Sequence, residues 1–253
     1  MRRRIHATAA KSGKVKRFAL LLLPAFVACS HGSYTPYSTT TGVLKPGSVI
    51  TVEMTSGVLN AYKPAEGDPP NRFTVSATAL EGATPPPAPA IRLAKNGIVI
   101  DAPAPLASLL VRVPSGVDLV VHSRRGNVNV TDITGNVDVA AGEGSVKIMI
   151  AGRAQASTNE GNIDATIGAQ SWSGTLNFSS NDGDVTLFVP DVAAFRARMH
   201  TDDGTLFTDF PLRGTSHGNN ETIDAPVNNG TASGVDLRSK RGTVRLLRLT
   251  PQA

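Results

Sequence analysis

Four acidic turns recur along the C-terminal half of the chain, each directly before a glycine. Their carboxylates belong to Glu143, Glu160, Asp182, and the adjacent Asp202 and Asp203. If the segments that carry them stack in register, the carboxylates follow one another about 4.8 Å apart. Like charges at that spacing repel each other, and a divalent cation with oxygen ligands would relieve the repulsion. The pattern raises a Ca²⁺ hypothesis, and its alternative is a row of solvated turns screened by salt.

Basic turns flank this acidic series in the sequence. Arg124 and Arg125 form the first of them, and Lys240 and Arg241 form the last. We therefore expect one uninterrupted acidic row between two basic ends. The Gly-Gly-x-Gly-x-Asp nonapeptide of calcium-binding solenoids is missing from the sequence. The calcium hypothesis thus names candidate ligands without a matching motif, and we predict no cofactor.

Other residues capable of chemistry are scattered. The sequence contains no G-x-S-x-G, H-E-x-x-H or P-loop motif. The histidines beyond residue 28 are His31, His122, His200 and His217, and they fall in different segments. A polysaccharide-active β-helix enzyme needs convergent carboxylates and bases, for which the candidates are Asp164, Asp184, Lys147 and Arg245. Nothing in their spacing demands convergence, so we predict a protein that is not an enzyme and keep this enzyme as the alternative.

The only cysteine, Cys29, ends a segment with the features of an export signal. Residues 2–17 are basic, and the apolar run 18–28 is too short to span a bilayer as a helix. Phe26-Val27-Ala28-Cys29 resembles the lipobox of bacterial lipoproteins, which usually has Leu at the position of Phe26. The resemblance implies cleavage after residue 28 and acylation of Cys29, and two or three acyl chains anchor a protein firmly. Ordinary signal cleavage that leaves a free thiol is the alternative.

Removal of residues 1–28 would change the charge of the protein. Seven of the 25 Lys and Arg residues lie there, so 18 remain against 20 Asp and Glu. This balance gives no general reason to expect nucleic-acid binding. Residues 29–45 are polar and nearly uncharged, and we predict a lipidated N-terminus with a flexible tether there. We expect an exported protein, anchored by lipid to a bacterial membrane and facing the periplasm or cell surface. By resemblance to diderm lipoproteins, Ser30 favours the outer membrane.

Internal repetition dominates the rest of the chain. Each unit consists of two polar residues, a glycine, a small polar residue and an alternating strand, and the glycines stand at 126, 144, 161, 183, 204 and 242. Glycine supplies the positive φ of a tight turn without steric cost. Alternation sends one apolar set to a common face: Val128, Val130, Val137, Val139, Val146, Ile148, Ile163, Val185, Leu187, Val189, Val244 and Leu246. No unit can bury this face alone, so we predict that the units stack.

Two all-β architectures satisfy the repeats. One is a single-stranded β-solenoid, similar to a parallel β-helix, and the other is an antiparallel β-sandwich. Equivalent turns recur once per coil and not once per hairpin, which favours the solenoid. We predict a solenoid over 116–250 and an irregular β region over 46–115 that caps it. Trp172 is expected to have a core or capping role, with ligand contact as its alternative.

The repeats also carry a family resemblance. The polar-Gly-[Asn/Asp/Ser/Thr]-[Val/Ile/Leu] units, entered through Val113-Pro114-Ser115-Gly116-Val117, are similar to the bacterial β-strand-repeat family called "putative adhesins", a domain of unknown function. The resemblance implies a cell-envelope location and a non-catalytic β-solenoid. We therefore predict a lipid-anchored envelope protein that presents a repetitive β surface to an envelope protein or glycan, in an adhesin-like or structural role. An envelope-stress component is a further alternative.

Overall fold

The structure, a computed structural model, describes residues 34–80, 84–102 and 105–249. The predicted signal peptide and Cys29 lie outside this part of the chain. The regular structure of the described residues consists of 21 β-strands in two sheets. None of these residues forms a helix long and apolar enough to cross a membrane.

The strands are numbered in chain order. The ten-stranded sheet contains β1 (Tyr34–Val43), β3 (Val58–Tyr62), β4 (Arg72–Leu80), β7 (Ser108–Arg112), β9 (Val128–Thr131), β11 (Val146–Ile150), β13 (Ile163–Ile167), β15 (Val185–Pro190), β17 (Leu206–Thr208) and β21 (Val244–Leu249). Its spatial order is β1-β4-β7-β3-β9-β11-β13-β15-β21-β17.

The eleven-stranded sheet faces it across the core. It contains β2 (Val49–Met54), β5 (Ala90–Ala94), β6 (Gly97–Ala102), β8 (Asp118–Arg125), β10 (Val137–Glu143), β12 (Ala154–Glu160), β14 (Thr175–Asp182), β16 (Phe195–Asp203), β18 (Thr215–His217), β19 (Asn220–Val227) and β20 (Gly234–Arg241). Its spatial order is β18-β19-β16-β20-β14-β12-β10-β8-β2-β6-β5.

Each coil consists of one strand from the eleven-stranded sheet, a polar turn and one strand from the ten-stranded sheet. Neighbouring coils pair in parallel, as β10 does with β8 and with β12, and β11 with β9 and with β13. Parallel pairing of equivalent strands confirms the predicted all-β solenoid. It also excludes the antiparallel sandwich, whose consecutive strands would pair with each other.

The core is the stacked apolar face that the alternation predicts. All twelve residues of that set are buried, with exposures of 2% or less. Thr186, which lies between the inward-facing Val185 and Leu187 on β15, is only 7% exposed. Its register neighbour Arg245 donates to Asp184, which lies in the turn before β15, so the long arginine side chain passes beside the threonine.

The coils do not stack in sequence order at either end. Coil β2–β3 lies between β6–β7 and β8–β9, and coil β20–β21 lies between β14–β15 and β16–β17. Strand β2 pairs in register with β8 across the predicted boundary at residue 115. Residues 46–115 contribute two regular coils, whose period is hidden in the sequence by the insertion that carries β4 and β5.

Antiparallel strands extend both ends of the stack. Strands β4 and β1 continue the ten-stranded sheet beyond β7, and β5 continues the other sheet beyond β6. At the opposite end, β19 and β18 extend the sheet beyond β16. Residues 34–43, which lie within the segment 29–45 predicted as a flexible tether, form β1. Pairing with β4 holds this strand, and its β-branched Thr39, Thr40 and Thr41 favour extended backbone.

A row of inward-facing hydroxyl groups links neighbouring coils. Each hydroxyl stands three residues before a turn glycine and donates to the carbonyl oxygen of the turn glycine in the adjacent coil. The four donor–acceptor pairs are Thr158 with Gly144 (3.2 Å), Ser180 with Gly161 (2.9 Å), Thr201 with Gly242 (3.0 Å) and Ser239 with Gly183 (2.8 Å). Ser123 occupies the equivalent position, but its buried Oγ has no hydrogen-bond partner among the described residues.

Removing one of these hydroxyls should destabilise the fold. Ser239→Ala is expected to lower the free energy of unfolding by about 1–2 kcal/mol, because the Gly183 carbonyl loses a buried donor. Ser123→Ala is the matched control and should change it by less than about 0.5 kcal/mol, since no hydrogen bond is lost. Urea denaturation followed by circular dichroism measures both values. An equal decrease in the free energy of unfolding for the two variants would show that the hydrogen bonds from hydroxyl to carbonyl do not stabilise the turns.

Candidate functional site

The turn side chains form a single row across the stack. In spatial order the row is Arg125, Glu143, Glu160, Asp182, Arg241 and Asp203. The expectation of an uninterrupted acidic series is therefore wrong, because the insertion of coil β20–β21 places Arg241 between Asp182 and Asp203. Asp202 lies one position before Asp203 and bonds to His200 instead.

Arginines balance much of the acidic charge in this row. The Arg125 guanidinium donates to both carboxylate oxygens of Glu143, at 2.8 and 3.2 Å, and this bonding together with its charge lowers the pKa of Glu143. Arg241 Nη2 lies 2.6 Å from Asp182 Oδ2. In the part of the chain that the structure describes, no group of three or more His, Cys, Asp or Glu could hold a metal ion. The arrangement thus favours solvated, ion-paired turns over the calcium hypothesis.

A second row lies immediately after the turn glycines. Asn127, Asn162 and Asp184 each use Oδ1 to accept the backbone N–H of the next coil, from Ser145 (3.0 Å), Asp184 (2.9 Å) and Thr243 (2.8 Å) respectively. These side chains therefore satisfy turn amides and set the coil register. The small polar residue that follows each glycine in the sequence is the signal for this structural role.

Three of the candidate catalytic residues lie along one register row of the ten-stranded sheet, in which Lys147 neighbours Asp164, and Thr186 separates Asp164 from Arg245. Asp184 Oδ2 accepts Arg245 Nη1 at 2.7 Å, so both groups belong to the coil-linking row. Lys147 and Asp164 are register neighbours on the outer face of the ten-stranded sheet. Burial raises the pKa of the Asp184 carboxyl, but the hydrogen bonds from Arg245 and Thr243 and the arginine charge outweigh it, and the net pKa is lowered. A carboxyl held ionised in this way is poorly suited to serve as a general acid.

Because the pKa of Asp184 is lowered, we expect the stability of the protein to depend on pH through this carboxyl. The stabilisation from this carboxylate is present above the carboxyl's unfolded pKa and is lost as pH falls through the folded pKa. Asp184→Asn keeps an acceptor for Thr243 N–H but cannot titrate. We expect its stability to fall less than that of the wild type between about pH 5 and pH 2. Thermal melts across this range test the difference, and parallel curves for the two proteins would contradict it.

The outer face of the eleven-stranded sheet is a regular surface. Its middle carries short polar or small side chains in register: Asp138, Gln155 and Asn177 in one row, and Ala140, Ser157 and Ser179 in the next. Gln155 Nε2 donates to Asp138 Oδ2 at 2.7 Å, which holds both side chains in place. We call these six residues the central face.

Charged groups border the central face at both ends. On β5, β6 and β2, Arg92 contacts Asp101 (3.2 Å) and Glu53 (3.7 Å). At the other end, Arg196 Nε lies 2.6 Å from Asp224 Oδ1, and Arg238 binds Asp236 through two hydrogen bonds of 2.7 and 2.8 Å. The charges at both ends are thus paired within the surface.

The histidines are separated. His122 is exposed on β8, beside Glu53 in register, and His200 on β16 contacts Asp202 (2.9 Å) and Thr222 (3.2 Å). His217 is exposed on β18, while His31 lies outside the described residues. Their positions bring no two of these described histidines onto the same strand.

Trp172 packs against the core, in agreement with its expected core or capping role. Its ring centroid lies 5.3 Å from that of buried Phe195, and its Nε1 donates to the Gly234 carbonyl at 3.1 Å. Trp172 lies in the segment between β13 and β14 and therefore covers part of the core.

Comparison with known proteins agrees with this architecture. The family model described as Toastrack DUF4097 matches residues 108–247. A "putative cell adhesion protein" from Clostridium sporogenes has a TM-score of 0.52 at 11% identity, over 85% of this chain and 100% of that one. At this identity the likeness shows the fold alone. A "putative adhesin" from Bacteroides fragilis gives a TM-score of 0.32 at 11% identity, over 84% of this chain and 96% of that one. No curated protein matches the chain.

Proposed function

The chain belongs to the Toastrack DUF4097 family, and from this premise we propose that it is a non-enzymatic, lipid-anchored protein of the bacterial cell envelope. Its eleven-stranded sheet presents the central face to an envelope protein or glycan. The lipobox-like residues that end at Cys29 support export and anchoring. The description of the Clostridium sporogenes protein as a "putative cell adhesion protein" supports an adhesin-like role.

The observation that carries this proposal is the order of the central face. Eight parallel strands, from β6 to β16, span about 34 Å with their outward side chains in rows. Hydrogen bonds such as that from Gln155 to Asp138 hold side chains of the face before any partner arrives. Binding to such a surface costs little conformational entropy, because few side chains remain to be ordered.

Site-specific photo-crosslinking in intact cells tests the proposal. A photoreactive residue in place of Ser157 would sit in the middle of the central face, whereas one in place of Thr166 would sit on the outer face of the ten-stranded sheet. We expect a discrete crosslinked species from position 157 and at least about tenfold less from position 166.

Two controls complete the experiment. The Cys29→Ala version of the position-157 protein should lose both membrane attachment and the crosslink, because the lipid holds the face near its partner. Ser157→Arg, in a protein labelled at the neighbouring Ser179, should weaken the crosslink by bringing bulk and charge into the face. Equal crosslinking from both faces, or none from either, would contradict the binding role.

A further inference from the structure

The N-terminal end of the solenoid carries two of its most exposed apolar side chains. Val43 is 65% exposed at the end of β1, and Leu93 is 91% exposed near the end of β5. These strands are the outermost members of the two sheets. Leu93 occupies an inward-facing position, because its register partner Ile98 is buried in the core. The apolar inner face thus continues past the last coil into solvent.

The two side chains belong to the same corner of this end. Segments 44–48 and 95–96 connect β1 to β2 and β5 to β6, and they are hydrogen-bonded to each other. Asn96 Nδ2 donates to the Gly47 carbonyl at 3.2 Å, and Val49 N–H donates to the Asn96 carbonyl at 2.8 Å. The segments that follow β1 and β5 therefore lie side by side.

Basic residues neighbour the two apolar ones in sequence or in strand register. Lys45 and Lys95 each follow two residues after Val43 and Leu93, and Arg72 is the register partner of Val43. All three basic residues are exposed. We call Val43, Lys45, Arg72, Leu93 and Lys95 the N-terminal corner. Glu66 and Asp68 lie in the loop between β3 and β4 and partly offset its charge.

The length of chain before β1 indicates what faces this end of the solenoid. Only residues 30–33 separate Cys29 from Tyr34, the first residue of β1. Five residue steps reach at most about 18 Å when fully extended. If Cys29 carries the lipid of the proposed function, on which this inference rests, Tyr34 must stay within that distance of the bilayer. Strand β1, the outermost strand of its sheet, leads from Tyr34 to Val43 at the N-terminal corner.

We propose that the N-terminal corner docks on the bilayer surface. Val43 and Leu93 enter the interface between headgroups and acyl chains, while Lys45, Arg72 and Lys95 face anionic headgroups. The coils then stack away from the membrane, and β17, β18 and β19 lie farthest from it. This orientation exposes the central face along its full length to partners beside the protein.

Depth-dependent fluorescence quenching tests the orientation. Because Cys29 is the only cysteine and its thiol is acylated, Leu93→Cys or Phe207→Cys supplies a single reactive thiol. Phe207 is 57% exposed on β17, at the opposite end, and serves as the matched position. Each full-length lipidated protein is labelled and reconstituted in phosphatidylethanolamine–phosphatidylglycerol vesicles with nitroxide-labelled headgroups. We expect at least about threefold stronger quenching at position 93, since nitroxide quenching requires close approach to the bilayer.

Flotation of the same samples tests the lipid anchor separately from the docking of the N-terminal corner. Protein that fails to float with the vesicles would overturn the anchored function and, with it, the docking. Protein that floats but is quenched equally at both positions would overturn the docking alone. A second variant tests whether the label itself causes the quenching. It carries the label at Val43→Cys together with the changes Leu93→Asp and Lys95→Glu. We expect these two changes to reduce the quenching by half or more, while the protein still floats with the vesicles. Unchanged quenching in that variant would also overturn the docking.

Discussion

Replacing Gly161 with alanine is expected to lower the free energy of unfolding by at least about 3 kcal/mol. Gly161 has a φ of 140°, where an L side chain is strained. A Cβ atom there would also lie 2.2 Å from the Gly144 carbonyl oxygen of the adjacent coil. That oxygen belongs to a backbone held on both sides by neighbouring coils, so it cannot move without separating them. The repeated glycine is therefore required by the close approach of stacked turns as well as by the turn itself.

Gly174→Ala is the matched control for this prediction. Gly174 also has a positive φ, of 74°, but a Cβ there would meet no atom within 4 Å. Gly174→Ala should therefore lower the free energy of unfolding only through backbone strain, by about 1–2 kcal/mol. Urea unfolding of both variants measures the difference. If Gly161→Ala were no more destabilising than Gly174→Ala, the turns would not be packed as closely as the structure shows.

Deletion of residues 234–253 should unfold the C-terminal end of the solenoid and leave its middle intact. In a solenoid stacked in sequence order, this deletion would remove a terminal coil and affect only its one neighbour. Here β20 lies between β14 and β16, and β21 lies between β15 and β17. The deletion also removes Val235, Leu237, Val244 and Leu246, all buried in the core. Strands β16 and β17 then lose their parallel partners.

Hydrogen exchange with mass spectrometry reports this effect by segment. We expect peptides from 195–208 to lose protection by about 100-fold or more, while those from 118–167 keep theirs. The full-length protein is the reference for both segments. Retained protection in 195–208 would mean that β16 and β17 can pair directly with β14 and β15. It would contradict the claim that coil β20–β21 is needed to hold them.

The sequence predicts the repeating coil well because its signals are local. A turn glycine such as Gly161 and the alternation in Ile163-Asp164-Ala165 act within a few residues, and stacking repeats them. The inward hydroxyls were missed although their signal is present: Ser or Thr stands three residues before most turn glycines, as in Thr158 and Ser180. Alternation indicates that these positions face inward. Only the structure shows that each hydroxyl donates a hydrogen bond to a glycine carbonyl of the neighbouring coil.

The order of the coils could not be predicted, because it depends on long-range pairing between equivalent strands. The turns that contain Asp182, Asp203 and Arg241 are alike in sequence. The local sequence therefore does not indicate which two of these turns will be adjacent in the stack. Charge offers one rationale after the fact: placing Arg241 between the two carboxylates replaces a like-charge contact with a 2.6 Å ion pair to Asp182. Strand β1 was missed because its polar composition is typical of a linker, while pairing with β4 supplies its stability.

Intact-mass spectrometry of the protein extracted from membranes is the most direct test of lipid anchoring, on which the proposed function depends. We predict a mature chain that begins at Cys29 and carries the mass of a diacylglycerol with or without a third acyl chain, and a Cys29→Ala protein that carries neither and leaves the membrane fraction. A mature chain with an unmodified Cys29 thiol, recovered in the aqueous fraction, would contradict the anchor and the envelope function built on it.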